Sequence, residues 1–114
     1  MRRAAKRFVN HIKSERGMSS TTVKSYRDDI KKFIEFLEVQ GVRGMLPGDV
    51  TPDMIQDFME FLGNTGYRKK NGASSRAKRL VTIRTFFRYL YREGLLRRDP
   101  AENIKGPKVT RTHV

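Results

Sequence analysis

The chain has 114 residues, and its 25 Lys and Arg against 12 Asp and Glu give a formal net charge of +13 at neutral pH. The length suits one domain, and a hydrophobic share of 37% is modest without being that of a disordered chain. The complete lack of cysteine excludes disulfides, thiolate-held zinc and a thiol nucleophile, and no apolar run reaches the roughly 18 residues of a membrane span.

The charge is segregated. Residues 1–32 carry a net +7, residues 33–62 a net −5, residues 63–98 a net +10 and residues 99–114 a net +1. Two basic stretches flanking an acidic one imply a single basic face and a polyanionic partner. The basic start at residues 1–7 is followed by no apolar stretch, so no secretory signal is expected and a cytoplasmic location is.

Periodicity and punctuation predict four helices. The first runs over residues 3–16, with Ala5, Phe8, Val9 and Ile12 as its apolar stripe and Gly17 as its stop. The second starts at the hydroxyl-rich Ser19-Ser20-Thr21-Thr22, carries Val23, Tyr26, Ile30, Phe33, Ile34 and Leu37 at spacings of three and four, and stops at Gly41. A loop with Gly44, Pro47 and Gly48 follows. Thr51-Pro52-Asp53 then supplies a cap, a first-turn proline and an acid for the third helix. Its apolar residues are Met54, Ile55, Phe58, Met59, Phe61 and Leu62, and it ends at Gly63. A glycine-rich loop over residues 63–73 has the basic tip Arg68-Lys69-Lys70. The fourth helix is expected to be capped by Ser74 or Ser75 and closed by Gly94. Asp99-Pro100-Ala101 reads as a turn, and the last seven residues as a linker. No strand-like alternation or internal repeat stands out, which makes the chain all-α.

Chemistry finds little support. His11 and His113 lie at opposite ends of the chain, and Glu15, four residues after His11, reads as a surface contact rather than a metal site. Neither Gly-x-Ser-x-Gly nor a phosphate-binding glycine loop with its lysine occurs. The carboxylates Asp53, Asp57 and Glu60 read as a solvated face. No cofactor and no metal are expected.

Helix four is the informative element. At 100° per residue, Leu80, Ile83, Phe86, Phe87, Leu90 and Tyr91 fall within about 80° of one direction. Lys78, Thr82, Thr85, Arg88, Tyr89 and Arg92 fall opposite, with Arg84 at the border and no carboxylate before Glu93. Cations, hydroxyls and a helix N-terminus suit DNA, the first and last holding phosphates while Lys, Arg and Thr reach base edges. Helix two has a comparable start, with Thr21, Lys24, Ser25 and Asp28 away from its apolar stripe and Thr22 at the N-terminal edge. Tyr67 and Tyr89 are expected to be the more exposed tyrosines. The alternative is a stand-alone basic helical module meeting RNA or an acidic protein.

Ser20-Thr21-Thr22-Val23-Lys24-Ser25-Tyr26-Arg27-Asp28-Asp29-Ile30-Lys31-Lys32-Phe33 resembles the first motif of the core-binding domain of tyrosine recombinases, the phage integrase and Xer group. Ser74-Ser75, Lys78, Leu80, Ile83-Arg84, Phe86-Phe87, Tyr89-Leu90 and Arg92-Glu93-Gly94 are similar to that domain's last long helix. Asp99-Pro100-Ala101-Glu102-Asn103-Ile104 with Pro107-Lys108 resembles its exit towards the catalytic domain. The resemblance implies a SAM-like orthogonal bundle of four to five helices over residues 1–106, with 107–114 opening the linker to a catalytic domain. It implies a clamp on double-stranded DNA that serves integration and recombination, with Thr22, Lys24 and Ser25 contacting DNA from helix two. Ser75, Arg76, Lys78, Arg79 and Thr82 would do so from helix four; Arg84 matches the family's Arg before the aromatic pair and would serve phosphate contact or bundle packing, and Arg88 joins the expected DNA-binding residues from its place on the outer face. The first helix would touch a neighbouring protomer. The residues that activate the phosphodiester, and the tyrosine nucleophile, are implied to lie in the catalytic domain, so no tyrosine here inherits that role and this segment is not itself an enzyme.

Overall fold

The computed structural model describes residues 1–15, 17–41, 46–64 and 73–104, and their side chains apart from those of 63–64 and 73–75. Among these residues four helices form: α1 (Arg2–Lys13), α2 (Ser20–Val39), α3 (Pro52–Asn64) and α4 (Ala73–Arg92), with a 3₁₀ turn at Pro47–Asp49 before α3. No strand occurs among the described residues.

The ends of these helices follow from local chemistry. The Ser19 hydroxyl accepts the Thr22 N–H at 3.1 Å, and Thr51 Oγ1 accepts that of Met54 at 3.2 Å. Gly94 adopts φ +78°. Its N–H reaches the Tyr91 carbonyl at 3.1 Å while that of Leu95 reaches Leu90 at 2.9 Å, the paired bonds of a Schellman stop that needs a left-handed residue. Apart from one-residue shifts at the start of α1 and the end of α3, two boundaries differ from expectation. α1 stops at Lys13, because the N–H groups of Ser14 and Glu15 turn back to the carbonyls of His11 and Ile12. α4 starts at Ala73, so Ser74 and Ser75 fall inside its first turn rather than before it.

The core is built on phenylalanine. Phe8, Phe33, Phe58, Phe86 and Phe87 are fully buried. Their rings touch in series across all four helices: Phe8 meets Phe86 at 5.3 Å between centroids, Phe86 meets Phe87 at 5.0 Å, Phe87 meets Phe33 at 6.1 Å and Phe33 meets Phe58 at 5.1 Å. Three of these contacts are edge-on, the geometry aromatic quadrupoles favour. α4 is central, touching α1, α2 and α3. After it, the Asp99 carboxylate accepts the Ala101 N–H at 2.9 Å, forming the expected turn, and Leu96, Ala101 and Ile104 fold back onto the core.

Contacts between α2 and α4 advance together along both helices: Asp29 meets Arg79 and Thr82, and four residues later Phe33 meets Phe87. The two helices therefore run in the same sense, with their N-termini at one end of the bundle. α1 runs against α2, pairing Arg2 with Glu38 and Phe8 with Tyr26. The hydrogen bond to Glu38 holds the Arg2 guanidinium above its ordinary value, and Tyr89 with Glu93 does the same for Arg7, so both remain cations wherever the domain is folded.

Candidate nucleic-acid interface

The parallel course of α2 and α4 gathers six of the ten predicted residues at one end. On α2, Lys24 is exposed, while Thr22 and Ser25 are half-buried. The Thr22 hydroxyl accepts a hydrogen bond from Ser19 at 2.9 Å, so it belongs to the helix cap. On α4, Lys78 is exposed and Arg76 and Arg79 are half-buried. The Ser75 side chain lies outside the described residues, as do the Tyr67-Arg68-Lys69-Lys70 tip and residues 107–114.

Thr82 is corrected. It does not face outwards with Lys78 but is 0% exposed. Its hydroxyl donates to Asp29 Oδ2 at 2.8 Å, and Arg79 Nε stands 3.5 Å from Asp29 Oδ1. This arrangement ties α2 to α4 about two and a half turns below their N-termini and spends the Thr82 hydroxyl internally. The tyrosines exchange places as well. Tyr89 packs against Phe8 at 5.6 Å and stacks on His11 at 4.6 Å, whereas Tyr91 is half exposed. The physical reason is common to both. α1 and α2 cover α4 on the Thr82 and Tyr89 side, which widens its buried arc and turns the arc's centre away from Tyr91.

Arg84 and Arg88 occupy a separate place. With Tyr91, Arg92, Asp99, Ala101 and Glu102 they line a hollow of about 400 Å³ towards the C-terminal end of α4. Two carboxylates face these cations, so their positive field is partly cancelled. A larger hollow of about 1150 Å³, between the start of α1, the 3₁₀ turn and residues 95–103, is lined by none of the ten predicted residues.

What distinguishes α4 is the sign of its charge. Arg76, Lys78, Arg79, Arg84, Arg88 and Arg92 all lie within the helix, and residues 73–92 include no carboxylate. Arg76 Nε, Arg79 Nη1 and Arg84 Nε are enclosed and have no hydrogen-bond partner among the described residues. Enclosed N–H donors without an acceptor are uncommon, because each forfeits its hydration. Among the described residues, no three His, Asp or Glu side chains converge to hold a metal ion, and no helix is long and apolar enough to cross a membrane.

Sequence reasoning assigned Asp29 no role of its own. The available signal was angular: at 100° per residue Asp29 lies about 40° from Phe33, on the shoulder of the apolar arc of α2.

Fold and face together define an all-α module carrying two helix N-termini and a carboxylate-free cationic helix at one end. The chain belongs to the family of phage integrase N-terminal SAM-like domains, whose family model matches residues 5–94. It is 36% identical over 104 residues to tyrosine recombinase XerC of Roseiflexus castenholzii, covering 91% of this chain and 31% of that protein. It is 32% identical over 106 residues to tyrosine recombinase XerD of Bifidobacterium longum (93% and 32%), and 34% identical over 110 residues to tyrosine recombinase XerC of Pseudomonas putida (95% and 34%). The chain thus spans about a third of the length of these curated relatives. No solved structure matches it significantly.

Proposed function

We propose that this domain grips double-stranded DNA for a tyrosine recombinase, supplying affinity and part of the sequence selectivity while strand cleavage belongs to a catalytic domain beyond the linker. Residues 1–106 form the gripping domain and 107–114 begin the linker. The protein works in the cytoplasm, with further protomers on the same DNA. The observation that carries this reading is the pairing of the α2 and α4 N-termini at one end of the bundle, beside a helix that holds six cations and no carboxylate. Helix N-termini and cations fix phosphates, and an α-helix fits the width of the major groove. Lys24, Arg76 and Lys78 hold backbone phosphates at that end, and Arg88 extends the grip along α4.

The test uses Lys78→Ala combined with Arg88→Ala. Both side chains are exposed, and neither belongs to the Asp29 cluster, so folding is unaffected. Against a generic duplex, affinity should fall. The slope of log K against log salt should become shallower by about 0.9 for each phosphate that the variant no longer neutralises. Unchanged affinity and slope would contradict the reading.

A further inference from the structure

Among the described residues, six large hydrophobic side chains are exposed: Val39, Leu46, Phe61, Val81, Tyr91 and Leu95. Leu46, Tyr91 and Leu95 line the larger hollow, and Val39 and Phe61 lie near the ends of α2 and α3. Val81 is different. It is 50% exposed in the middle of α4. Lys78, Val81, Thr85, Arg88 and Arg92 follow one another at steps of three and four residues, which places them on one face. The Thr85 hydroxyl donates to the Val81 carbonyl at 2.8 Å, so it is engaged with the backbone of its own helix. The centre of the cationic face is therefore aliphatic, bordered by Lys78 on one side and by Arg88 and Arg92 on the other.

Resting on the reading of this face as a duplex-DNA surface, we propose that Val81 is a specificity-determining residue that reads the C5-methyl group of thymine in the major groove. Three considerations lead there. Phosphate contacts made by the flanking cations position a helix without conveying sequence. Base identity must then come from groups at the centre of the face, and here the central side chain is an isopropyl group with neither donor nor acceptor. The apolar feature of the major groove is the thymine methyl, and apolar contact with it is an established mode of direct readout. Burying one methyl-sized group against Val81 should improve binding about three- to fourfold.

The experiment compares an alternating adenine–thymine duplex with the same duplex carrying deoxyuridine for thymidine, which removes only the methyl. The wild-type chain should bind the thymine duplex at least about threefold more tightly. Val81→Ser should bring that ratio close to one while leaving affinity for the uracil duplex and the salt slope unchanged. Val81 is exposed and packs no core, so the variant folds. A wild-type ratio of one, or a ratio that survives Val81→Ser, would overturn the proposal while leaving the DNA surface standing. Failure to bind either duplex would overturn the reading beneath it.

Discussion

Replacing Phe33 with alanine should cost about 3–5 kcal/mol of stability, the range for removing a buried aromatic side chain. Phe33 is the ring through which α2 reaches both α3 and α4. It is 0% exposed and meets Phe58 edge-on at 5.1 Å and Phe87 edge-on at 6.1 Å. The destabilisation combines burial energy, two aromatic pairs and a cavity that three helices cannot collapse together to fill. A domain of this size has about 5–15 kcal/mol in total, so the variant should be partly unfolded at 37 °C. Urea unfolding followed by circular dichroism measures it. A midpoint matching that of an exposed substitution such as Lys31→Ala would mean that the aromatic series does not unify the core.

Asp29→Ala should produce the second large effect, about 2–3 kcal/mol of destabilisation. The carboxylate accepts the Thr82 hydroxyl and faces the Arg79 guanidinium. Removing it leaves a buried hydroxyl and an enclosed cation without their partner. The effect stays below that of a fully buried ion pair because the Arg79 and Asp29 side chains retain 24% and 12% of their exposure. Asp29→Asn keeps an oxygen to accept from Thr82 and should cost less than Asp29→Ala. Thr82→Val removes only the hydroxyl and should cost about 1 kcal/mol. A double-mutant cycle between positions 29 and 82 should show coupling of about 0.5 kcal/mol or more. Values for Asp29→Ala within about 0.5 kcal/mol of wild type, the range of ordinary surface changes, would remove this cluster as the element that ties α2 to α4.

Much of the fold was legible because each helix carries its own evidence. The stripe Phe8, Val9 and Ile12, the longer one from Val23 to Leu37, and the stops at Gly41 and Gly94 are local signals that describe the helices that form, whereas α1 ends at Lys13, short of Gly17. Helix four was read less well. Its apolar residues gave a direction, but a single-helix pattern carries no information on how many neighbours a helix has. Because three helices surround α4, residues on the shoulders of its stripe are decided by packing rather than by hydropathy. Thr82 and Tyr89 turned inwards and Tyr91 outwards for that reason. The same limit hid Asp29, whose partners lie 50 and 53 positions away in sequence. The candidate site divides similarly. The cations were visible as a carboxylate-free run, whereas the approach of the α2 and α4 N-termini depends on the direction in which two distant helices cross the core. The separation of Arg84 and Arg88 into a hollow shared with Asp99 and Glu102 depends on the turn after α4, which the sequence marks only as a turn.

On the proposed reading, one end of the bundle and the outer face of α4 meet duplex DNA. The most direct measurement is a titration of the isotope-labelled domain with a generic duplex, followed by amide chemical shifts at two salt concentrations. Non-specific binding in the range of about 10⁻⁴–10⁻⁶ M suffices, so no particular target sequence is needed. The predicted result is a set of shifts concentrated at Thr22, Lys24 and Ser25 and from Arg76 to Arg88, shrinking as salt is raised. Shifts confined to the hollow between the start of α1 and residues 95–103, or none at all, would contradict the account.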